Sequence, residues 1–493
     1  METDARDSSR RLRWTSIYCE AELYKAALRV YTKPLFQWRK ALSTSTDERT
    51  LYDLAARGIR GMDQIHQALQ RQSFTFRPAV ALHYNFNGKE RTLYISPWED
   101  RIVDLLLYRT LNHKLHAWFS PNSYAYRERA YGLDHCQTRI IRILRALSAP
   151  VYVIKRDIAD YFASVDHEIF LQRLTALVDP NDYLFHLLEQ RVRFSYQYNG
   201  PPERAAMGIP FGSAVACLFA NIYLTEVDRK LEEIAGISYF RYADDFLILS
   251  RSPEATLVAA KTLGTSLAVL KLTTKRSHEL NCVLVKNGEH AESVFPANPV
   301  FSATPAFRHL GLQFSADGGV TLSRDKCRKV QNLFRFGFRR SRSRWRKITD
   351  PWERAQALSA IAADIMAKGV RNVAIVDYYL RHVDNDRQLH RLDRWLAEEV
   401  LSLVFAGHRR GNFAKLSFSE LRAMGLPSLV HRRRLILHRR VESPFFIWQG
   451  RKFARARKGT VARLLGASSA HGGLLSRPRS SSQQVPVREG GCL

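Results

Sequence analysis

Cysteine is scarce and scattered. The six residues, at 19, 136, 217, 282, 327 and 492, form no Cys-x-x-Cys pair and have no paired His-x-x-x-His beside them. That argues against a zinc ribbon or a zinc-knuckle nuclease module. A chain of 493 residues that is 45% hydrophobic also has no need of a disulfide scaffold to hold its core. Long apolar runs are missing too. The longest, Ser213–Leu224, falls short of the roughly 20 residues of a membrane helix. The opening METDARDSSRRLRW carries charge without an apolar stretch, so no secretory leader is expected. The expectation is a soluble, cytoplasmic protein with no membrane partner. Acidic residues are few: 47 Asp and Glu stand against 76 Lys and Arg, a net charge of +29. Such a surplus repels itself in a compact chain and attracts a polyanion, of which nucleic acid is the obvious one. Charge alone names no reaction, and a merely basic protein has the same arithmetic.

At roughly 150 residues per domain, the length of 493 suggests about three domain-sized units. Apolar residues at Leu51, Leu54, Ile59, Met62, Ile65 and Leu69 have the helical period. Residues 73–96 read as extended, with an Asn-Gly turn at 87–88. Residues 99–118 read as an amphipathic helix with Ile102, Leu105, Leu106, Thr110 and Leu111 on one face. VYVIKRDI (151–158) is a strand, Asp166 has the character of a helix cap, and 213–233 is a long apolar helix. ISYFRY (237–242) and FLILS (246–250) are two β runs, a helix fits 253–270, and 306–314 is a short strand region. Beyond about residue 320 the composition turns helical and basic. HRRRLILHRR (431–440) is a basic helix, the tail from 467 is rich in Ser, Gly and Pro, and no internal repeat is visible.

Three segments carry the chemistry. KRDIADYFASVDH (155–167) delivers Asp157 at a strand end, followed by Tyr161-Phe162. GIPFGSAVACLFANIYLTEVD (208–228) is a glycine-punctuated turn running into a helix. FRYADDFLIL (240–249) places Asp244-Asp245 between two apolar strands. Adjacent carboxylates at a buried turn repel each other, and a hard cation relieves them. An isolated Asp-Asp turn is more often simply solvated. Asp157 at the end of a second strand changes that balance: three carboxylates across a sheet suit two metal ions, one on a 3′ hydroxyl and one on a triphosphate.

The order of these segments resembles the palm of a prokaryotic reverse transcriptase. The clade is that of group II intron proteins and diversity-generating retroelements, and the motif drift resembles its defence-associated members. DIADYF, GIPFG…ANIYL and YADDF resemble successive palm motifs, and HLGLQF (309–314) the primer-grip turn. Upstream, NGKERTLYISPWEDRIV (87–103) and FSPNSYAYRERAYGLDH (119–135) resemble fingers motifs. The resemblance covers about 75–410. It implies an α+β right-hand polymerase fold: an N-terminal extension (1–50), fingers (51–150), palm (151–320), helical thumb (321–410), a basic helical C-terminal region (411–466) and a disordered tail (467–493).

By the same resemblance, Asp157, Asp244, Asp245 and the backbone carbonyl of Ile158 hold two Mg²⁺ ions, for which Mn²⁺ can substitute. Phe162 is the aromatic gate against a 2′ hydroxyl; its plainer reading is a core aromatic. Lys89 and Arg91 grip the triphosphate of a dNTP, or form a solvated charge pair. Phe211 and Gly212 complete the nucleotide site. Arg127 is a weaker fingers candidate, and Lys275 a candidate donor to the leaving pyrophosphate. Two departures stand out. Phe211 occupies the position of the intron-type glutamine, where it would stack on a base or simply pack, and Ala216-Cys217 replaces the later Ser-Pro. No retron segment (Asn-Ala-x-x-His or Val-Thr-Gly) and no C-terminal nuclease or protease motif is found.

FRFGFRRSRSRWRK (334–347) interleaves aromatics with cations. Arg339, Arg340, Arg342, Arg344 and Arg346 would meet phosphates, and Trp345 or Phe338 would stack on bases. The basic helix holding Arg432, Arg433, Arg434, Arg439 and Arg440 would pack on the thumb while binding structured RNA, or join a second subunit in a homo-oligomer. The leading expectation is an RNA-directed DNA polymerase that copies a non-coding RNA template or scaffold into a DNA product, in antiphage defence. Template-independent or protein-primed synthesis by the same site, and an RNA-binding maturase-like protein, stay open beside it.

Overall fold

The structure is a computed structural model, and it describes residues 11–33, 43–86, 89–127, 131–147, 150–285, 300–367 and 380–438. The Asn87-Gly88 turn, Arg439, Arg440 and the tail lie outside the described residues. Helices Glu20–Thr32 and Leu51–Gln70 open the fold. Thr50 caps the second through its side chain, with Asp53 answering in a capping box. The extended run becomes an antiparallel hairpin of β1 (Ala79–Phe86) and β2 (Lys89–Ile95), in register from Val80↔Ile95 to Phe86↔Lys89.

The next helix, Trp98–Lys114, corrects the amphipathic expectation. Its acidic residues Asp100 and Asp104 are buried with its leucines. Partners supplied from elsewhere make that tolerable. The Arg191 guanidinium meets Asp104 with two 2.8 Å hydrogen bonds, both side chains being almost wholly buried, and Arg77 serves Asp100. The predicted helix also ends four residues early, at Lys114.

The centre is a five-stranded sheet in the order β6-β7-β3-β8-β9, formed by β3 (Val151–Asp157), β6 (Ile237–Tyr242), β7 (Asp245–Ser250), β8 (Leu280–Leu284) and β9 (Ser302–Thr304). Its central strands are apolar on both sides because both faces are covered. Ile154, Phe246 and Ile248 join a core with the helices Trp98–Lys114 and Ala214–Glu232. Val153, Leu247 and Leu249 join a second core with the C-terminal helices. Short strands β4 (Ser195–Gln197) and β5 (Glu203–Arg204) extend the hairpin sheet. The 306–314 region is a hairpin of β10 (Ala306–His309) and β11 (Leu312–Ser315), joined to β12 (Val320–Leu322).

Helices Arg324–Arg340, Pro351–Ala367 and Asp386–Val404 follow. Val330, Phe334 and Phe338 recur at helical spacing and face that bundle's core, while cations take the outer face. The basic C-terminal helix is observed as Leu429–Leu437. Buried Asp393 holds its start, accepting from Ser428 Oγ at 2.6 Å and from the Leu429 amide at 2.7 Å. Arg433 pairs with Asp386 at 2.9 Å, so this helix packs on the bundle as expected. Among the described residues no helix is long and apolar enough to cross a membrane.

Candidate active site

The sheet brings the three predicted carboxylates together. Asp157 at the end of β3 is the register partner of Asp245 at the start of β7. Asp244 lies in the two-residue turn between β6 and β7, and its carbonyl accepts the Ile158 amide at 3.2 Å. The peptide of Ile158 therefore sits beside the same turn. Ala243 in that turn adopts φ +60, a left-handed conformation that costs an L-residue about 1–2 kcal/mol.

A buried ion pair holds this turn in place. Arg241 on β6 donates to Asp228 Oδ1 at 2.7 Å and Oδ2 at 2.5 Å, and its Nη1 reaches both Asn221 Oδ1 and the Ala243 carbonyl at 3.1 Å. Tyr239 Oη also donates to Asp228. Arg241 and Asp228 are both fully buried. Neither was singled out by sequence reasoning, although both stand inside the motif segments.

The three predicted carboxylates are served differently. Asp157 Oδ2 accepts from Lys275 Nζ at 3.0 Å and lies 3.2 Å from His278 Nδ1. Asp245 Oδ2 lies 3.4 Å from Lys155 Nζ and 3.4 Å from His309 Nδ1, while its Oδ1 is buried without a hydrogen-bond partner. Burial, and then the Asp157 charge, push Asp244 up to about 6. Burial pushes Asp245 up to about 7, with Asp157 and Asp244 adding to the rise and Lys155 opposing it. Lys275, read from sequence with loose spacing, is thus at the site. Lys155 was legible as the residue two before Asp157 on one strand face. His278 gave no sequence signal, and His309 was legible only as the first residue of the HLGLQF turn.

Among the described residues no three His, Cys, Asp or Glu side chains enclose a metal by themselves. Magnesium seldom needs such a cage, because it takes one or two carboxylates and completes its shell with water and substrate phosphate. The orphaned Asp245 Oδ1 and the raised Asp244 and Asp245 are the features a cation would relieve, so the residues present fit one.

Beside the carboxylates is an aromatic wall. Phe162, half-buried in a 3₁₀ turn, meets Phe211 edge-on at 5.3 Å and Tyr126 at 6.3 Å between ring centroids. Backbone bonds fix it: the Ile209 amide donates to the Phe162 carbonyl at 2.7 Å and the Tyr94 amide to the Phe211 carbonyl at 2.9 Å. The glycines are required here. A Cβ on Gly208 (φ +85) would lie 3.0 Å from the Phe162 carbonyl, and one on Gly212 (φ +113) 2.6 Å from Leu93 Cδ1. Tyr126 itself has φ +60, and its hydroxyl is raised by burial and by charges that include Asp244. Sequence reasoning passed over it inside the SYAYR run.

Arg91 is exposed on β2, opposite Tyr84, and Lys89 begins that strand. Arg127 turns inward instead, donating to the His116 carbonyl at 2.7 Å and the Ser123 carbonyl at 3.0 Å and lying 3.9 Å above the Tyr131 ring. Its guanidinium is spent on holding a loop.

On the C-terminal bundle, Arg339, Arg340, Arg342, Arg344 and Arg346 are exposed. The stacking assignment of Trp345 and Phe338 is corrected. They are 8% and 2% exposed, and Trp345 Nε1 donates to the Phe338 carbonyl at 2.9 Å. Aromatics at that spacing fill the helix interface. Among the described residues of this bundle, Phe336 and Trp352 are the most exposed rings, at 56% and 51%.

Residues 37–279 match the family model described as reverse transcriptase (RNA-dependent DNA polymerase). This segment, just under half of the chain, is similar to reverse transcriptase domains. The α+β class expected from the sequence is the one the chain adopts. Curated relatives include protein YkfC of Escherichia coli, 24% identical over 36% of this chain and 54% of that protein. Others are an uncharacterized 91 kDa protein in a cob intron of Schizosaccharomyces pombe (24%, over 35% and 21%) and a putative COX1/OXI3 intron 1 protein of Saccharomyces cerevisiae (22%, over 39% and 23%). The chain thus spans about half of the first and under a quarter of the other two. Similar solved structures include apo telomerase from Candida tropicalis, with 12% identity over 80% of this chain and 68% of that one and a TM-score of 0.41. Another is telomerase from Candida albicans with a fragment of telomeric RNA, with 10% identity, 74% and 64% coverage and a TM-score of 0.40.

Proposed function

We propose that the chain is an RNA-directed DNA polymerase that extends a DNA strand by two-metal nucleotidyl transfer. The observation that carries this reading is the register of Asp157 with Asp245, with Asp244 at the adjoining turn and the Asp245 Oδ1 unpartnered. Asp157, Asp244, Asp245 and the Ile158 carbonyl would hold two Mg²⁺ ions, or Mn²⁺ in their place. When bound, these supply the acidity that deprotonates a primer 3′ hydroxyl and neutralise the charge of the triphosphate.

The remaining roles belong to the chain's own side chains. Phe162, fixed by the Ile209 amide, blocks the space of a 2′ hydroxyl and selects dNTPs. Lys89 and Arg91 on the hairpin meet the triphosphate, and Phe211-Gly212 shape the nucleotide floor. Lys275, 3.0 Å from Asp157, is placed to give a proton to the departing pyrophosphate. The exposed arginines of the bundle, with Phe336 in place of Trp345, bind the template–product duplex. We assign 51–150 to fingers, 151–320 to palm, 321–410 to thumb and 411–466 to a basic extension.

A non-coding RNA partner, a cytoplasmic bacterial setting and a role in antiphage defence complete the proposal. They are supported by the +29 charge and by the motif departures at Phe211 and Ala216-Cys217. Phe211 also favours a second reading. Its ring packs on Phe162 and offers no hydrogen bond where a polar contact is expected, which suits template-independent or protein-primed synthesis.

Primer extension on an RNA template with Mg²⁺ and dNTPs tests the site. Asp244→Ala and Asp245→Ala should each lower synthesis about 10²–10³-fold or more while RNA binding persists. Synthesis retained by either variant removes the metal-site assignment. Sequencing the product separates templated copying from low-complexity synthesis. Phe162→Ala should relax discrimination against ribonucleotides, and unchanged sugar selectivity would refute its gating role.

A further inference from the structure

One side chain near the carboxylates has no place in this scheme. His309 ends β10 and is completely buried, yet neither ring nitrogen has a hydrogen-bond partner. Nδ1 lies 3.4 Å from Asp245 Oδ2, just beyond hydrogen-bonding length, and the other oxygen of the same carboxylate is also unpartnered. A buried imidazole with neither nitrogen partnered is rare, because each unmet polar group costs about 1–3 kcal/mol of desolvation. An imidazole can give one N–H and still offer one lone pair.

The hairpin that delivers His309 is rigidly held. Its two-residue turn, Leu310-Gly311, has φ +49 and +85, and the tip is pinned where Gln137 Nε2 donates to the Leu310 carbonyl at 2.9 Å. Leu310 is a bulky residue in a conformation that favours glycine. That strain persists only where the surroundings impose it. The same sheet runs through β12 to the thumb, where the Leu322 amide donates to Gln388 Oε1 at 2.7 Å.

We propose that His309 is a positioning residue for Asp245: its imidazole donates Nδ1–H to Oδ2 of the carboxylate and leaves Oδ1 to a divalent cation. Carboxylates that bind metals are themselves held by hydrogen bonds, and contacts of this kind are often long until the bound state forms. The arrangement joins the base of the thumb to the metal-binding strand through one side chain. The inference rests on the metal site of the proposed function.

The test is equilibrium binding of Mn²⁺ alone to the full-length chain, read by electron paramagnetic resonance, with near-ultraviolet circular dichroism to check folding. An asparagine amide can reach the position of Nδ1, whereas a glutamine amide reaches that of Nε2. His309→Phe and His309→Gln should bind Mn²⁺ about 10–100-fold more weakly than the wild type, and His309→Asn within about threefold of it. Should the Phe variant fail to fold, the contrast between Asn and Gln decides. If Asp245→Asn loses Mn²⁺ while His309→Gln binds like the wild type, the role of His309 is overturned and the metal site stands. Equal weakening in all three His309 variants also overturns it, since only bulk and packing would then matter. If Asp245→Asn binds Mn²⁺ as the wild type does, both readings fall.

Discussion

Asp228 and Asp245 are both carboxylates tied to one β-hairpin, and their surroundings are opposite. Asp228 accepts two hydrogen bonds from Arg241 and one from Tyr239, and the remaining arginine donors reach Asn221 and the Ala243 carbonyl. Asp245 has one oxygen without a partner and two nitrogens at 3.4 Å from the other. The first group is complete within the chain and shapes the turn. The second is left incomplete at the point where the turn presents it, and its pKa is raised accordingly. A buried charge that the fold satisfies speaks of structure, and one that it leaves wanting speaks of a ligand.

The contrast can be broken most sharply at Asp228. Asp228→Ala strands a buried guanidinium and should cost about 3–5 kcal/mol of stability in a denaturant melt. A variant within about 0.5 kcal/mol of the wild type would show that the pair is dispensable to the fold.

The C-terminal helical bundle offers a parallel contrast between a buried and an exposed ring. Phe338→Ala should lose about 3–5 kcal/mol of stability by opening a cavity. Phe336→Ala should leave the melt almost unchanged and weaken RNA or duplex binding by about 1–3 kcal/mol. Equal stability losses at the two positions would contradict the burial assigned here.

A smaller effect comes from pH. Asp244 and Asp245 are raised to about 6 and about 7 from an ordinary value of 3.8. A carboxyl raised in the folded state gives its full stabilising contribution below the unfolded value, and loses it as pH rises through the folded one. Metal-free protein should therefore lose stability between about pH 4 and about pH 7, with a slope approaching about 1.4 kcal/mol per pH unit for each carboxyl that ionises independently. Chemical denaturation in the presence of a chelator reads this directly.

Much of the site was legible because its elements obey simple periods. β3, β6 and β7 are short apolar runs with Asp157, Asp244 and Asp245 at their ends, and the pairing of β7 with both β6 and β3 brings the three carboxylates to one turn. Residues whose meaning depends on a distant partner were not legible. Asp104 looks like the polar side of an amphipathic helix until Arg191, 87 residues away, buries it. Trp345 looks like a stacking ring until the Phe338 carbonyl accepts its indole N–H. His309 lies in a motif read only as a turn, and its approach to Asp245 depends on how two sheets pack.

The central claim is that the raised carboxylates of the β6–β7 turn are completed by a divalent cation. The most direct measurement is the denaturation stability of wild type and Asp245→Asn at about pH 8, each with chelator and with saturating Mg²⁺. The account predicts that Mg²⁺ stabilises the wild type, and that the variant is the more stable of the two without metal and gains little on adding it. An equal gain from Mg²⁺ in both proteins, or a metal-free wild type more stable than Asp245→Asn, would contradict it.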